Sequence, residues 1–226
     1  MGEPNMSDLE RRYTPGTVEV VRAANDRKSI GGYAAKHNKQ SRNLGGFVEQ
    51  IDSRAFNKSR GDGWPDVMAR YNHDDNMLLG TTGAGTLRLS LDDIGLFYEV
   101  DPPAARADIL ELVARGDVAK SSFAFRVMTD GDEWGLNDLD IPLRTLTNVQ
   151  LVDVAPVNSP AYLDTTTGLR SLAAHVDAPI EEVRKLAHEN ELRKFFKRTD
   201  QGGVPKEHFG AAARMALLGR QTDPWA

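Results

Sequence analysis

The sequence predicts a mainly β protein with helices, of the α+β class, in which short antiparallel strands form a barrel-like sheet with one inserted helix. Two observations predict this fold. Short runs of apolar, β-branched and aromatic residues are separated by turns rich in Gly, Asp and Asn. One stretch with helical spacing interrupts these runs, and the pattern changes again after Pro160, where a helical C-terminal tail is predicted.

The predicted strands cover most of the first two-thirds of the chain. In order they lie at residues 17–21, 31–35, 46–51, 67–71, 78–82, 86–91, 95–100, 121–128, 143–147 and 149–157. A polar loop is predicted at 57–65, and Asp130-Gly131-Asp132 predicts a turn. Many short strands joined by turns favour a sheet that curls into a barrel.

The inserted helix is predicted from the residues that begin and end it. Asp101 suits the N-cap, Pro102 suits the first helical position, and Gly116 suits the C-terminal end. Between them, apolar residues recur at helical spacing, at Ala105, Ile109, Leu112 and Val113.

Both ends of the chain are predicted to lie outside this domain. Residues 1–16 are polar and contain two prolines, which predicts a mobile N-terminal tail. A helix is predicted from Pro179 through Phe196, and a second short helix from Pro205 to Leu218. The predicted organisation is therefore a tail at 1–16, a β-barrel domain at 17–170 and a helical extension at 171–226.

Composition excludes several classes of function. The chain has no cysteine, which excludes disulfides, thiolate metal sites and a cysteine nucleophile. Its net charge is −5 and its basic patches are short, so nucleic acid is not an expected partner. No apolar run approaches the ~20 residues of a membrane span, and no signal-peptide pattern is present at the N-terminus. Neither a cofactor nor a metal ion is predicted.

Two polar residues near strand ends form a candidate catalytic pair. His73 follows a predicted strand within a turn-prone run, and Ser122 lies near the start of another strand. Because side chains alternate along a strand, Ser121 shares the apolar face with Phe123, whereas Ser122 faces the other side. A neutral imidazole can take the proton that makes a serine hydroxyl nucleophilic. The residues alone therefore indicate a Ser/His hydrolase.

A third residue is a candidate for orienting the histidine. Asp153 interrupts an otherwise apolar run, where a carboxylate is costly unless it is paired. A carboxylate beside the base fixes its tautomer and stabilises the imidazolium form. Asp74 and Asp75 are alternatives, although residues adjacent to His73 usually point elsewhere.

Five short motifs follow one another along the chain. They are Gly32-Tyr33-Ala34-Ala35, Leu44-Gly45-Gly46-Phe47-Val48-Glu49-Gln50-Ile51, Tyr71-Asn72-His73-Asp74, Ser122-Phe123-Ala124-Phe125 and the run from Leu151 to Tyr162. In this order they resemble the motifs of the prohead maturation proteases of tailed bacteriophages, a family related in fold to the herpesvirus capsid-assembly protease. The resemblance covers about residues 30–165.

The resemblance implies a serine endopeptidase that acts inside the assembling procapsid, in the host cytoplasm. Its implied substrates are the scaffold and the major capsid protein, and often the protease itself; self-association is a further expectation. The main alternative is a catalytically inactive capsid scaffold or assembly module of the same fold. A weaker alternative is a hydrolase of small esters that uses the same pair of residues.

The resemblance also assigns roles to individual residues. The family places its nucleophile immediately before Phe-x-Phe, which is Ser122 here. It usually has an acidic residue, commonly Glu, at the place of Asp153. By analogy with the viral relatives, Arg144 is the expected contributor to the oxyanion hole, with Arg70 and Arg126 as alternatives.

Overall fold

The computed structural model describes residues 8–14, 18–22, 28–159 and 166–196. Within these ranges the protein is mainly β with a few helices, which confirms the predicted α+β class. The strands are β1 (Glu10–Thr14), β2 (Glu19–Arg22), β3 (Lys28–Lys36), β4 (Val48–Ile51), β5 (Met68–Arg70), β6 (Leu78–Thr81), β7 (Leu87–Leu91), β8 (Gly95–Val100), β9 (Lys120–Val127), β10 (Asp132–Leu136), β11 (Pro142–Leu146) and β12 (Val149–Val157). The helices are α1 (Asn57–Gly61), α2 (Ala107–Arg115), α3 (Thr166–His175) and α4 (Ile180–His188).

The described strands form three sheets, and these sheets are not closed into the predicted barrel. One sheet has the order β1-β9-β12-β5-β6, another β2-β3-β8-β7, and the smallest β10-β11-β4. Two neighbouring pairs, β12 with β5 and β11 with β4, run parallel, so the prediction of an all-antiparallel sheet is also corrected. Sequence spacing shows where strands lie but not the direction in which distant strands pair, which tertiary packing decides.

The main hydrophobic core lies between the sheets. Its largest fully buried side chains include Phe56, Phe123, Phe125, Tyr98 and Leu146. The rings of Phe123 and Phe125 stack with their centroids 5.1 Å apart. β9 therefore places one face of alternate side chains in the core and leaves its other face for polar residues.

The inserted helix is α2, which ends where the sequence predicts but begins later than predicted. Gly116 ends it at φ 82°, a left-handed conformation that glycine adopts without the Cβ penalty. The helix begins at Ala107 rather than near Asp101, because a short 3-10 turn precedes it. Asp101 instead accepts hydrogen bonds from Ser29 and Arg88.

Residues 10–14, predicted as part of a mobile tail, form β1 at the edge of the five-stranded sheet. β1 pairs with β9 in antiparallel register. Glu10 and Arg12 look like solvent-exposed residues in the sequence, but both are buried because they form ion pairs with each other and with buried groups on other strands. Residues 1–7 and 15–16 of the predicted tail lie outside the described residues.

The C-terminal helices form a second hydrophobic cluster with the segment that leads into β4. Leu172 of α3 and Val183 of α4 are fully buried in it beside Phe47. A Cβ atom at Gly168 would lie 2.6 Å from the Phe47 ring, so helix and ring are in close contact. α3 spans residues 170 and 171, where the sequence places the domain boundary, and the described residues through Phe196 cluster into one compact unit. The domain boundary itself stays a prediction. The predicted helix at 205–218 lies outside the described residues.

No helix in the described part of the chain is both long enough and apolar enough to cross a membrane.

Candidate active site

His73 lies at the end of a tight turn after β5. Residues Tyr71–His73 form one 3-10 turn, in which Asn72 and His73 adopt φ values of 54° and 58°. Non-glycine residues adopt this left-handed conformation at an energetic cost, and such strain persists where surrounding contacts hold it. One such contact is the hydrogen bond from the backbone N–H of Asn158, beyond β12, to the side-chain carbonyl of Asn72.

Ser122 lies on the polar face of β9, as the alternation of side chains predicts. Ser121 faces the core, where its hydroxyl lies 3.3 Å from that of Tyr98. Ser122 points to the opposite side and pairs across the sheet with Tyr13 of β1 and Ala155 of β12. The two adjacent serines therefore occupy different environments, and only Ser122 reaches the histidine.

Asp153 projects from β12 at an irregularity in its pairing with β9. The register shifts between Leu151 and Asp153, so that Asp153 lies opposite Ala124. This shift places Asp153 on the same face as Ser122. The side chain of Asp153 is fully buried.

The three candidate side chains meet in a line through the histidine ring. His73 Nε2 lies 2.6 Å from Ser122 Oγ, and His73 Nδ1 lies 2.7 Å from Asp153 Oδ1. With the proton on Nδ1, the ring donates to Asp153, and Nε2 accepts the hydroxyl proton of Ser122. The arrangement has the geometry of a nucleophile, a general base and a carboxylate that orients the base.

Charged neighbours keep Asp153 ionised despite its burial. Burial alone would raise the pKa of this carboxyl group. The hydrogen bond and charge of His73, together with the charge and hydrogen bond of Arg70, outweigh burial and hold the pKa of Asp153 below its usual value. Arg70 donates to Asp153 Oδ2 and, through its other terminal nitrogen, to Asp75. Neither Asp74 nor Asp75 takes the place of Asp153 beside His73 Nδ1.

Strand β1 covers Ser122. The Oγ atom of Ser122 lies 2.9 Å from the backbone carbonyl oxygen of Arg12, and Ser122 has 0% exposure. A cleft of about 580 Å³ lies beside β1, and Arg12, Tyr13 and Phe123 are among the residues that line it. The cleft therefore adjoins the strands that carry the site, whereas Ser122 itself is enclosed.

Arg144, the expected oxyanion residue, lies among buried carboxylates. Its guanidinium donates to Glu10, Glu49 and Asp132 at distances of 2.6 to 3.1 Å. These residues form the buried ion cluster, which comprises Glu10, Arg12, Glu49, Asp132 and Arg144. The pKa of Arg144 is raised above its usual value: burial opposes this shift, but the charges of Glu49 and Glu10 outweigh burial. Four hydrogen bonds from its guanidinium go to these three carboxylates, and its contribution to an oxyanion hole stays a prediction.

Two contacts of the site are not among the sequence-based predictions. One is the carbonyl oxygen of Arg12, a backbone group that no motif reveals. The other is the contact between Arg70 and Asp153: the sequence marked Arg70 only as an alternative oxyanion residue. Arg70 lies three residues before His73, so both side chains lie at the same strand end, and this spacing is the sequence feature that indicates the contact.

The described residues contain no group of three or more His, Cys, Asp or Glu side chains that could hold a metal ion.

Comparison with known proteins places the chain in a family. No curated protein sequence matches it. A solved structure, that of the capsid assembly protease of bacteriophage T4, matches with 12% sequence identity and a TM-score of 0.42, over 69% of this chain and 99% of that one. The family model of the caudovirus prohead serine protease matches residues 17–178. This match confirms the resemblance found in the sequence motifs, and the chain belongs to the caudovirus prohead serine protease family.

Proposed function

We propose that this protein is a serine endopeptidase in which Ser122 is the nucleophile, His73 the general base and Asp153 the orienting carboxylate. The observation that carries the proposal is the contact of His73 with both partners, at 2.6 Å to Ser122 Oγ and 2.7 Å to Asp153 Oδ1. Membership of the prohead protease family supports the same reaction class.

The geometry supports a two-step hydrolysis. His73 Nε2 takes the proton of Ser122 as Oγ attacks the peptide carbonyl carbon, and Asp153 stabilises the resulting imidazolium. The imidazolium then gives its proton to the leaving amine, which leaves an ester on Ser122. Water, deprotonated by His73 in the same way, hydrolyses that ester and restores the hydroxyl group.

The proposed substrates are the scaffold and the major capsid protein, and the protease itself is a further candidate. The site of action is the procapsid as it assembles in the host cytoplasm. The family match supports this assignment, because prohead proteases act during capsid assembly.

One observation favours the alternative of an inactive capsid scaffold. Ser122 is fully buried and in contact with β1, so the described conformation leaves no route to it for a peptide. An inactive module would keep this conformation permanently, whereas a protease must open it.

Labelling with a fluorophosphonate probe, followed by a cleavage assay, separates these functions. The native chain should label covalently, and Ser122→Ala and His73→Ala should lose the label, whereas Ser121→Ala should keep it. Incubation with the major capsid protein of the same phage should then yield fragments only with the labelling-competent variants. The labelling is done both on the isolated chain and during procapsid assembly. Failure of the native chain to label under either condition would favour the inactive scaffold. Labelling without cleavage of any capsid or scaffold protein would favour an esterase.

A further inference from the structure

Arg70 contacts the carboxylate of Asp153 on the side opposite His73. It is the last residue of β5, and its side chain is 10% exposed. One terminal nitrogen donates to Asp153 Oδ2, and the other donates to Asp75 in the loop after His73. The two oxygens of Asp153 are thus divided, with Oδ1 at His73 and Oδ2 at Arg70.

We propose that Arg70 is a positioning residue that fixes the orientation of Asp153 and, through its positive charge, weakens the attraction between Asp153 and a protonated His73 ring. The proposal rests on the proposed function, in which Asp153 orients His73. Arg70 acts through Asp153, because its hydrogen bonds go to Asp153 and Asp75 and not to Ser122 or His73.

The first part of the proposal follows from the burial of Asp153. The terminal torsion of an aspartate is broad, so one hydrogen bond to Oδ1 leaves the carboxylate plane free to turn. A fully buried carboxylate oxygen without a partner carries a large desolvation cost. Arg70 supplies that partner through one terminal nitrogen, and the hydrogen bond from its other terminal nitrogen to Asp75 holds the planar guanidinium in place. An ammonium group has no such planar geometry, so it would restrain the carboxylate less.

The second part follows from the charges around the base. The groups that face Asp153 are Arg70 from β5, His73 from the following turn and, beyond the ring, the uncharged Ser122 of β9. Asp75 faces Arg70 but its side chain is 84% exposed, so solvent screens much of its charge. A positive charge beside Asp153 offsets part of the attraction between that carboxylate and an imidazolium ring. Loss of Arg70 would therefore strengthen the attraction between Asp153 and a protonated His73 ring.

Loss of Arg70 should consequently have two separable effects. Asp153 becomes less well oriented, which lowers the maximal rate. Removal of a positive charge also makes the His73–Asp153 pair bind its proton more tightly, which moves the acid limb of the pH profile to higher pH. A residue with a merely structural role would lower the rate without moving the limb in this direction.

The test measures the rate of fluorophosphonate labelling against pH for the full chain and three variants. Arg70→Met removes the charge and keeps much of the side-chain length, and Arg70→Lys keeps a charge without the planar fork. Arg88→Met is the matched control, because Arg88 pairs with Glu99 and Asp101, away from this site. We expect Arg70→Met to label about 10- to 100-fold more slowly at its plateau. Its half-maximal pH should lie above that of the native chain.

The two substitutions at residue 70 should differ in a defined way. Arg70→Lys should keep the half-maximal pH near that of the native chain while losing part of the plateau rate. Arg88→Met should match the native chain in both. A slower plateau in Arg70→Met with an unchanged half-maximal pH would reduce Arg70 to a structural residue, and an unchanged plateau would overturn the positioning role.

A second readout tests the proposal even if the chain proves inactive. The proton on His73 Nδ1 that is shared with Asp153 should give a strongly downfield proton resonance, in the native chain and in Ser122→Ala alike. Arg70→Met should broaden or remove this resonance while its thermal unfolding remains cooperative. A sharp, unshifted resonance in Arg70→Met would overturn the proposal. A native chain that shows the resonance but does not label would overturn only the proposed function.

Discussion

Ser122 Oγ lies 2.9 Å from the carbonyl oxygen of Arg12 and 2.6 Å from Nε2 of His73. A hydroxyl group has one proton and donates it to one acceptor at a time, so Arg12 competes with His73 for it. Because the same contact encloses Ser122 under β1, we expect β1 to move away from β9 before a substrate is cleaved.

A disulfide that joins β1 to β9 should therefore slow the reaction of Ser122. Arg11 and Ala124 lie directly opposite each other in the antiparallel pair. Opposed residues of such pairs generally have Cα separations that suit a disulfide. The native chain has no cysteine, so Arg11→Cys combined with Ala124→Cys introduces one pair only. The oxidised double variant should label with a fluorophosphonate much more slowly than its reduced form.

The two single cysteine variants are the controls for this prediction. Each should label at the same rate with and without reductant, because neither can form the intramolecular bridge. Equal labelling of the oxidised and reduced double variant would show that Ser122 becomes accessible without separation of β1 from β9.

The buried ion cluster is expected to contribute strongly to stability. Arg144→Met leaves Glu10, Glu49 and Asp132 with Arg12 as the cluster's remaining cation. Removal of one partner from a buried ion pair leaves uncompensated buried charge, and the free energy of unfolding should fall by about 3–5 kcal/mol. Chemical denaturation measures this loss.

Arg184→Met is the matched control for the cluster. Arg184 pairs with Glu181 on the exposed side of α4, where solvent screens both charges. Its loss should change the free energy of unfolding by less than about 1 kcal/mol. Similar losses in the free energy of unfolding for Arg144→Met and Arg184→Met would show that the buried ion cluster stabilises the fold no more than an exposed ion pair does.

The C-terminal helices should be part of the folded unit rather than an independent appendage. Leu172→Ala removes a fully buried side chain from the cluster around Phe47, and we expect a loss of about 2–5 kcal/mol in the free energy of unfolding. Leu139→Ala, at a residue that is 76% exposed, should change it by less than about 0.5 kcal/mol. Equal stability of native chain and Leu172→Ala would restore the domain boundary that the sequence predicted at residue 170.

Local sequence patterns predicted the strands of the core and the positions of the candidate site. Turn residues separate the strands, and alternation along β9 distinguishes Ser122 from Ser121. The run around Asp153 signalled a buried carboxylate, and the structure provides the partners that this burial requires. Each of these inferences depends on residues that are close in sequence.

Sequence patterns do not reveal contacts between segments that are far apart in the chain. β1 was assigned to a tail because Glu10 and Arg12 look solvent-exposed until Glu49 and Arg144 are placed beside them. The expected oxyanion role of Arg144 comes from the analogy with the viral relatives. Its three acidic partners lie on other strands, so local sequence patterns do not reveal them. The direction of β4 against β11 and the docking of α3 likewise depend on contacts between distant segments.

The pH dependence of stability should report the ionisation of Asp153. Its pKa is lowered in the folded chain, so this residue stabilises the fold above its unfolded pKa of about 3.9. That contribution is lost as pH falls through the lower folded pKa. The difference in free energy of unfolding between the native chain and Asp153→Asn should therefore be constant near neutral pH and shrink below about pH 4. A difference that stays constant down to pH 2 would show that Asp153 is not selectively stabilised as an anion.

Two substitutions at Asp153 separate its charge from its shape. Asp153→Asn keeps the size but removes the charge that stabilises an imidazolium at His73, so the labelling rate should fall by roughly 10²–10⁴-fold while the chain still folds. Asp153→Glu keeps the charge, and family members commonly have Glu at this place. The site here is fully buried and holds both carboxylate oxygens, so an added methylene group should cost about 1–3 kcal/mol in stability.

The glutamate variant should nevertheless label faster than the asparagine variant, because an anion still faces Nδ1 of His73. Labelling rates and thermal unfolding of both variants, measured side by side, check this order. Near-native labelling by Asp153→Asn would remove Asp153 from the catalytic group and leave a Ser122–His73 dyad. Labelling by Asp153→Glu that is as slow as that of Asp153→Asn would show that placement of the carboxylate, which Arg70 restrains, matters as much as its charge.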